Sequence, residues 1–268
     1  MTGRNYKVNW HHRLIADTLE QVEQGKLKRL MIFMPPRHGK SQLASINFPA
    51  WYLGKHPDKK IICASYSAEL AQDFGGKTRD LVNEPVYRAT FPLELREDSQ
   101  SKAKWDTKEG GYYVSVGVGG AITGRGADCL LIDDPFKNRE EAESSVVRNK
   151  VWDWYTSTAY TRLEPGGAVV LIMTRWHYDD LAGRLLEWER DGGAMAGTEG
   201  GERIPWKVLR LPALAAETTK DRKIEEALWP DRYPKEVLEE IRGTIGIRDW
   251  ASLYQQEPII SESQEFKE

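Results

Sequence analysis

Three short runs place residue types where phosphate chemistry would need them. The first is Arg29-Leu-Met-Ile-Phe-Met-Pro-Pro-Arg-His-Gly-Lys-Ser41, an apolar stretch that turns through Gly39, Lys40 and Ser41 into a helix-like segment. A strand that passes sharply into a helix at Gly-Lys-Ser presents backbone N–H groups to an anion at the helix N-terminus. The lysine then reaches the β/γ phosphates of a nucleotide, and the hydroxyl reaches Mg²⁺. The usual pattern has a glycine five residues before Gly39; here Met34 stands there, and Pro35 and Pro36 stiffen the approach instead. A surface turn with a helix cap would use the same letters, but the flanking patterns favour the phosphate loop.

The second run, Cys129-Leu-Leu-Ile-Asp-Asp134, ejects two carboxylates from an apolar strand at its C-terminal end, where open α/β sheets bind ligands. Asp133 would orient the water shell of Mg²⁺, and Asp134 would orient or deprotonate an attacking water. Asp-Asp-Pro is also turn chemistry; the phosphate loop upstream tips the balance toward function. The third run, Val169-Val-Leu-Ile-Met-Thr-Arg175, ends in the polar pair Thr174 and Arg175, a suitable sensor beside the acids. Between the runs, Ile122-Thr-Gly-Arg-Gly-Ala127 flanks Arg125 with glycines. It would present a guanidinium to developing phosphate charge or be an ordinary surface turn. His177, Asp179 and Asp180 invite a metal reading, but an aspartate capping the next helix is simpler.

The elements that must position these residues follow from patterning. Short, nearly continuous apolar runs at Arg29–Met34, Lys60–Ser65, Cys129–Asp133, Gly167–Thr174 and Trp206–Leu211 read as strands covered on both faces. Tyr112–Val118 pairs with Lys102–Thr107 as a hairpin. Helices are expected at Ser41–Leu53, Ala68–Val82, Arg139–Leu163, Asp179–Glu189 and Pro234–Arg242. The third of these carries Val147, Val151, Trp154 and Thr158 as one stripe. Strand–helix alternation predicts βαβ units and a mostly parallel sheet. The glycine-rich segment 191–202 reads as a flexible loop, and the charged, short-helix sequence after Pro212 as a small second subdomain.

The chain has 268 residues, enough for one large or two small domains at roughly 150 residues each. Its 38 basic and 41 acidic residues leave a formal charge of -3, which excludes a polycationic, non-specific DNA binder. The longest apolar run, Ala168–Met173, is far short of the ~18 residues of a spanning helix, and no signal-peptide core follows Met1. Cys63 and Cys129 sit in apolar segments as small core residues. A soluble intracellular protein without membrane attachment is expected. Lys26, Lys28 and Arg29, or Lys102 and Lys104, could touch DNA but fit better as solvated charges. The ten tryptophans are assigned to packing.

Together, Pro35-Pro-Arg-His-Gly-Lys-Ser41, Gly124-Arg-Gly-Ala-Asp128, Leu131-Ile-Asp-Asp-Pro135, Thr174-Arg-Trp-His177 and Trp250-Ala-Ser-Leu-Tyr-Gln-Gln-Glu-Pro258 resemble the large terminase subunit of tailed bacteriophages. The resemblance runs in family order over nearly the whole chain. It implies a RecA-like P-loop NTPase of the additional-strand (ASCE) class, residues 1–212, with a small helical linker or lid subdomain at 213–268. It also implies an ATP- and Mg²⁺-dependent motor that drives double-stranded viral DNA into a procapsid in the host cytoplasm. Its partners would be the portal protein, the small terminase subunit and copies of itself in a ring.

Carried onto this sequence, the resemblance makes Arg37, His38, Gly39, Lys40 and Ser41 the phosphate loop. Ser41 and Asp133 become the metal-binding pair, and Asp134 the catalytic acid, where many relatives have Glu. Arg125 becomes the arginine lent to a neighbouring subunit. Thr174 and Arg175 fall on the coupling motif, and His11 and His12 where such enzymes contact adenine, often through Gln. Full-length relatives continue into a nuclease domain that Ile259–Glu268 cannot form, so an isolated motor domain without DNA cleavage is expected. The alternatives are a helicase-like protein, for which residues 213–268 are too few to supply a second lobe, and a nucleotide-regulated nucleic-acid-binding protein that holds ATP without turnover. A small-molecule kinase lacks an arginine-rich lid.

Overall fold

A computed structural model describes residues 6–122, 124–191 and 204–259. Its centre is an eight-stranded sheet of β1 (Arg29–Phe33), β2 (Lys60–Ser65), β3 (Leu95–Gln100), β4 (Lys104–Thr107), β5 (Tyr112–Gly117), β6 (Ala127–Asp133), β7 (Leu163–Met173) and β8 (Lys207–Arg210). The strand order is β3-β4-β5-β2-β6-β7-β1-β8. From β5 to β8 every neighbouring pair is parallel, whereas β4 is antiparallel to both of its neighbours, β3 and β5. Strand β7 lies between β1 and β6, so one strand separates the phosphate loop from the two acids. That inserted strand defines the additional-strand P-loop architecture, and the Thr174–Arg175 pair follows its end.

The parallel strands are apolar over their central positions because both faces are covered there. Along β1, Leu30 and Ile32 join one core with Ile15, Leu53, Phe74 and Tyr113. Met31 and Phe33 join the opposite core with Val151, Trp154, Leu181 and Leu185. The first face is covered by α1 (Trp10–Glu23), a π-helical stretch at Gln42–Asn47, α2 (Phe48–Lys55), α3 (Ala68–Val82) and the short α4 (Pro85–Thr90). The second face is covered by α5 (Arg139–Glu143), α6 (Ser145–Trp154) and α7 (Leu181–Arg190).

Several sequence expectations need correction. The single helix expected at Arg139–Leu163 is broken. Ser144 leaves helical geometry and caps α6 by accepting from the Val147 N–H, so α5 and α6 are separate, and β7 already begins at Leu163. Ser41–Leu53 is helical, but its middle widens into π geometry ahead of Pro49. Strand β3 was not expected: its Leu-Arg-Glu-Asp-Ser-Gln sequence is mostly exposed at the sheet edge and carries no apolar alternation. Arg29 is not a solvated charge but is buried, donating to the carbonyls of Lys28 and Gly167 and to the Tyr160 hydroxyl. The segment expected as a flexible loop at 191–202 lies, apart from Asp191, outside the described residues.

After the sheet, residues 213–259 pack around their own small cluster of Ala213, Leu214, Ala227, Leu238 and Trp250. Helix α8 (Lys235–Asp249) kinks at Gly246, whose φ of 80° only glycine adopts at little cost. No helix among the described residues is long and apolar enough to cross a membrane. Of the tryptophans, Trp105, Trp154, Trp229 and Trp250 are buried, whereas Trp188 is exposed.

Candidate nucleotide-binding site

The loop between β1 and the following helix is tightly bent. Arg37 has φ 65° and Gly39 φ 96°. For glycine this is free; for Arg37 the left-handed region is strained, and the strain marks a loop held in place by its surroundings. Those surroundings include the ends of two histidine rings. His11 Nε2 and His12 Nε2 lie 3.2 and 3.0 Å from the His38 carbonyl oxygen. His12 packs edge-on against Trp229, and the His38 ring stacks on Tyr233 at 4.5 Å. A side chain at position 39 would collide with the Tyr6 hydroxyl and press on His12, so the glycine is needed there for space as well as for φ. Burial lowers all three histidine pKa values: His11 to about 3, His38 to about 4, and His12 also downward. His11 and His12 are thus fully buried behind the loop, in a cluster that C-terminal aromatics complete.

On the other side of the loop, charges converge from three strand ends. Lys40 Nζ lies 3.0 Å from Asp134 Oδ2 and donates to Thr174 Oγ1 at 2.9 Å. The other Asp134 oxygen accepts from the Thr174 backbone N–H at 2.8 Å. Asp134 itself has φ 45°, a conformation that aspartate tolerates better than most residues. Asp133 is 1 % exposed; its Oδ2 accepts from Ser45 Oγ at 2.5 Å, and its Oδ1 is buried without a hydrogen-bond partner. Burial and the neighbouring Asp134 charge push the Asp133 carboxyl up to about 7, against the opposing Lys40 ammonium and the Ser45 and Ser41 hydroxyls.

An orphaned carboxylate oxygen beside the loop hydroxyl suits a hard cation that takes oxygen ligands and keeps part of its water shell. Ser41 and Asp133 therefore fit Mg²⁺. Asp180 is the N-cap of α7, accepting from the Gly183 N–H at 2.9 Å, and its other oxygen receives Arg175 Nε at 2.8 Å. Asp179 is held by Arg148 and Arg184. No cluster of three His, Cys, Asp or Glu among the described residues is placed to hold a metal.

The structure thus gathers Lys40, Asp133, Asp134 and Thr174 at the C-terminal rim of the sheet, with Ser41 opening the adjoining helix, Arg175 following Thr174, and His11, His12 and His38 behind the loop. Arg37 is exposed on the loop. Arg125 is not part of this assembly. It precedes β6 at the opposite rim, exposed between Gly124 and Gly126, and Gly126 is anchored through its carbonyl to the Tyr112 hydroxyl. The length of β6 puts it about 20 Å from Asp133.

Two residues escaped the sequence reading of roles. Ser45 has no signal beyond helical spacing from Ser41. Gln256 is 1 % exposed at φ 59°, and its Oε1 accepts from the Arg175 backbone N–H at 3.2 Å. Its neighbour Gln255 brackets Leu214, accepting from its N–H and donating to its carbonyl. Gln256 therefore ties residues 213–259 to the segment that follows β7, and Gln255 closes their own fold around Leu214.

The family described as terminase large subunit, T4-like-virus type, N-terminal part, matches residues 31–256. The chain belongs to this family. No curated protein matches the chain. Among solved structures, the terminase chain resembles the ATPase domain of the large terminase from Thermus phage P74-26, with a TM-score of 0.55 at 15 % identity over 95 % of each chain. A single-substitution variant of that domain gives a TM-score of 0.56. It also resembles the large terminase of bacteriophage HK97, with a TM-score of 0.58 at 13 % identity, covering 97 % of this chain and 54 % of that one. The terminase chain thus shares their RecA-like fold and spans about half the length of the HK97 protein.

Proposed function

We propose that this terminase chain is an ATP-hydrolysing motor domain that translocates double-stranded viral DNA into a procapsid. The observation that carries the reading is the convergence of Lys40, Asp134 and Thr174 at the mouth of the phosphate loop, with an unpartnered oxygen of Asp133 beside them. When a triphosphate enters, the Lys40 ammonium exchanges Asp134 and Thr174 for the β/γ phosphates. Ser41 and Asp133 would hold Mg²⁺, which would supply charge neutralisation on the phosphate oxygens. Asp134, released from Lys40 but still held by the Thr174 N–H, orients the attacking water. Arg125, distant from its own site, is suited to act on the site of a neighbouring copy.

Movement of Thr174 with Asp134 and Lys40 is passed through Arg175 to Gln256. Residues 213–259 thereby act as the linker or lid of the ATPase core, moving with nucleotide state. Portal protein, small terminase subunit and a ring of identical chains are the partners of this activity, and the host cytoplasm is its place. His11 and His12 contribute to the adenine side of the site through their hold on the loop. Near-neutral charge suits a motor that must release the DNA it grips.

Steady-state phosphate release with and without duplex DNA, across protein concentration, tests the proposal. Release that needs magnesium, rises with DNA and rises more than linearly with protein is the expected result. ATP binding with phosphate release unaffected by Asp134→Asn would instead indicate a nucleotide-regulated binding protein.

A further inference from the structure

Pro49 shapes the helix that follows the phosphate loop. Proline has no N–H, and its ring excludes the carbonyl four residues earlier, here that of Ser45. The helix responds by widening over Gln42–Asn47, where the Phe48 N–H reaches back five residues to the Leu43 carbonyl. The Ser45 carbonyl, left without its helical donor, faces the hydroxyls of Thr78 and Tyr113 at 3.5 Å each, both from fully buried side chains. Ser45 is itself fully buried, and its Oγ donates to Asp133 Oδ2 at 2.5 Å, the length of a strong, charge-assisted bond. Only Oδ1 of that carboxylate is left without a partner.

We propose that Ser45 is a positioning residue that locks the Asp133 carboxylate about its side-chain torsion, so that Oδ1 is the oxygen offered to the magnesium ion. The inference rests on the nucleotide-site reading above. A carboxylate with neither oxygen tied would rotate, and a partner outside the metal's own ligands typically changes metal affinity by about 10–100-fold. The hydroxyl bonded to Oδ2 is that of Ser45, one helical turn beyond Ser41.

The test is calorimetric binding of ADP to the whole chain, once in excess EDTA and once in excess magnesium, for wild type, Ser45→Ala and Ser45→Thr, with thermal unfolding followed by circular dichroism. Ser45→Ala should bind ADP in EDTA within about twofold of wild type while losing about tenfold or more of the gain that magnesium brings. Ser45→Thr, which keeps the hydroxyl, should retain that gain. The inference is overturned if Ser45→Ala keeps the full magnesium gain, or if Ser45→Thr loses as much of it as Ser45→Ala. A wild-type chain that binds ADP no better with magnesium than without it overturns the site reading, and this inference with it.

Discussion

At the C-terminal rim of the sheet, Lys40, Asp134 and Thr174 are mostly buried and tied to one another at hydrogen-bond distance, and Asp133 beside them is held by Ser45. At the opposite rim, Arg125 stands exposed on a glycine-flanked turn whose anchors hold the backbone rather than the guanidinium. Charges that must meet a ligand in their own chain are arranged before it arrives, so little reorganisation is needed during reaction. On the proposed reading, in which Arg125 is offered to another copy, a fixed backbone and an uncommitted side chain suit that role. Gly126 shows the fixed part: a Cβ there would collide with the Glu164 carboxylate.

The largest effect that can break this contrast is on Arg125. Arg125→Ala should leave ADP affinity unchanged and lower phosphate release about 10³-fold under conditions where chains assemble. Mixing it with Asp134→Asn should restore measurable turnover, because a mixed pair regains one complete site; no recovery at any ratio would place Arg125 outside catalysis. On the buried rim, Lys40→Ala should cut turnover about 10²- to 10³-fold even at saturating nucleotide. Mixing it with Arg125→Ala should recover activity only through sites that keep the wild-type lysine.

Gln256→Ala sharpens the comparison from the structural side. It leaves the Arg175 N–H buried without a partner and should cost about 1–3 kcal/mol of stability, read as a lower urea midpoint. ADP affinity should change little. The smallest effect concerns the histidines behind the loop. Their folded pKa values lie below the unfolded value near 6.5, at about 4 for His38, because burial disfavours the charged ring. Between these limits the unfolded chain binds more protons, so stability falls as pH drops below about 6.5 and continues falling toward about 4. Lowering pH from 7 to 5 should cost about 1–2 kcal/mol at His38, at up to 1.36 kcal/mol per unit. His38→Asn should flatten that part of the profile in urea titrations.

The strands were legible because burial on both faces leaves a continuous apolar signature: Lys60–Ser65 is observed with the boundaries expected. The phosphate loop, the acids and Thr174 were legible because each ends such a strand with abrupt polarity. What escaped depends on pairing across the fold. Strand β3 is polar because one edge faces solvent, and the break at Ser144 reflects a cap that competes with a continuous helical stripe. Ser45 and Gln256 act through partners 88 and 81 residues away in sequence, which no local pattern announces. Pro49, visible as a letter, acts on the turn before it, where the Phe48 N–H bonds the Leu43 carbonyl.

The most direct measurement is a crystal structure of the chain with a non-hydrolysable ATP analogue and Mn²⁺ in place of Mg²⁺, using the anomalous signal of manganese. The expected result is a manganese peak between Ser41 Oγ and Asp133 Oδ1, with Lys40 Nζ moved from Asp134 to the terminal phosphates. Nucleotide bound elsewhere, with Lys40 still paired to Asp134, would contradict the account.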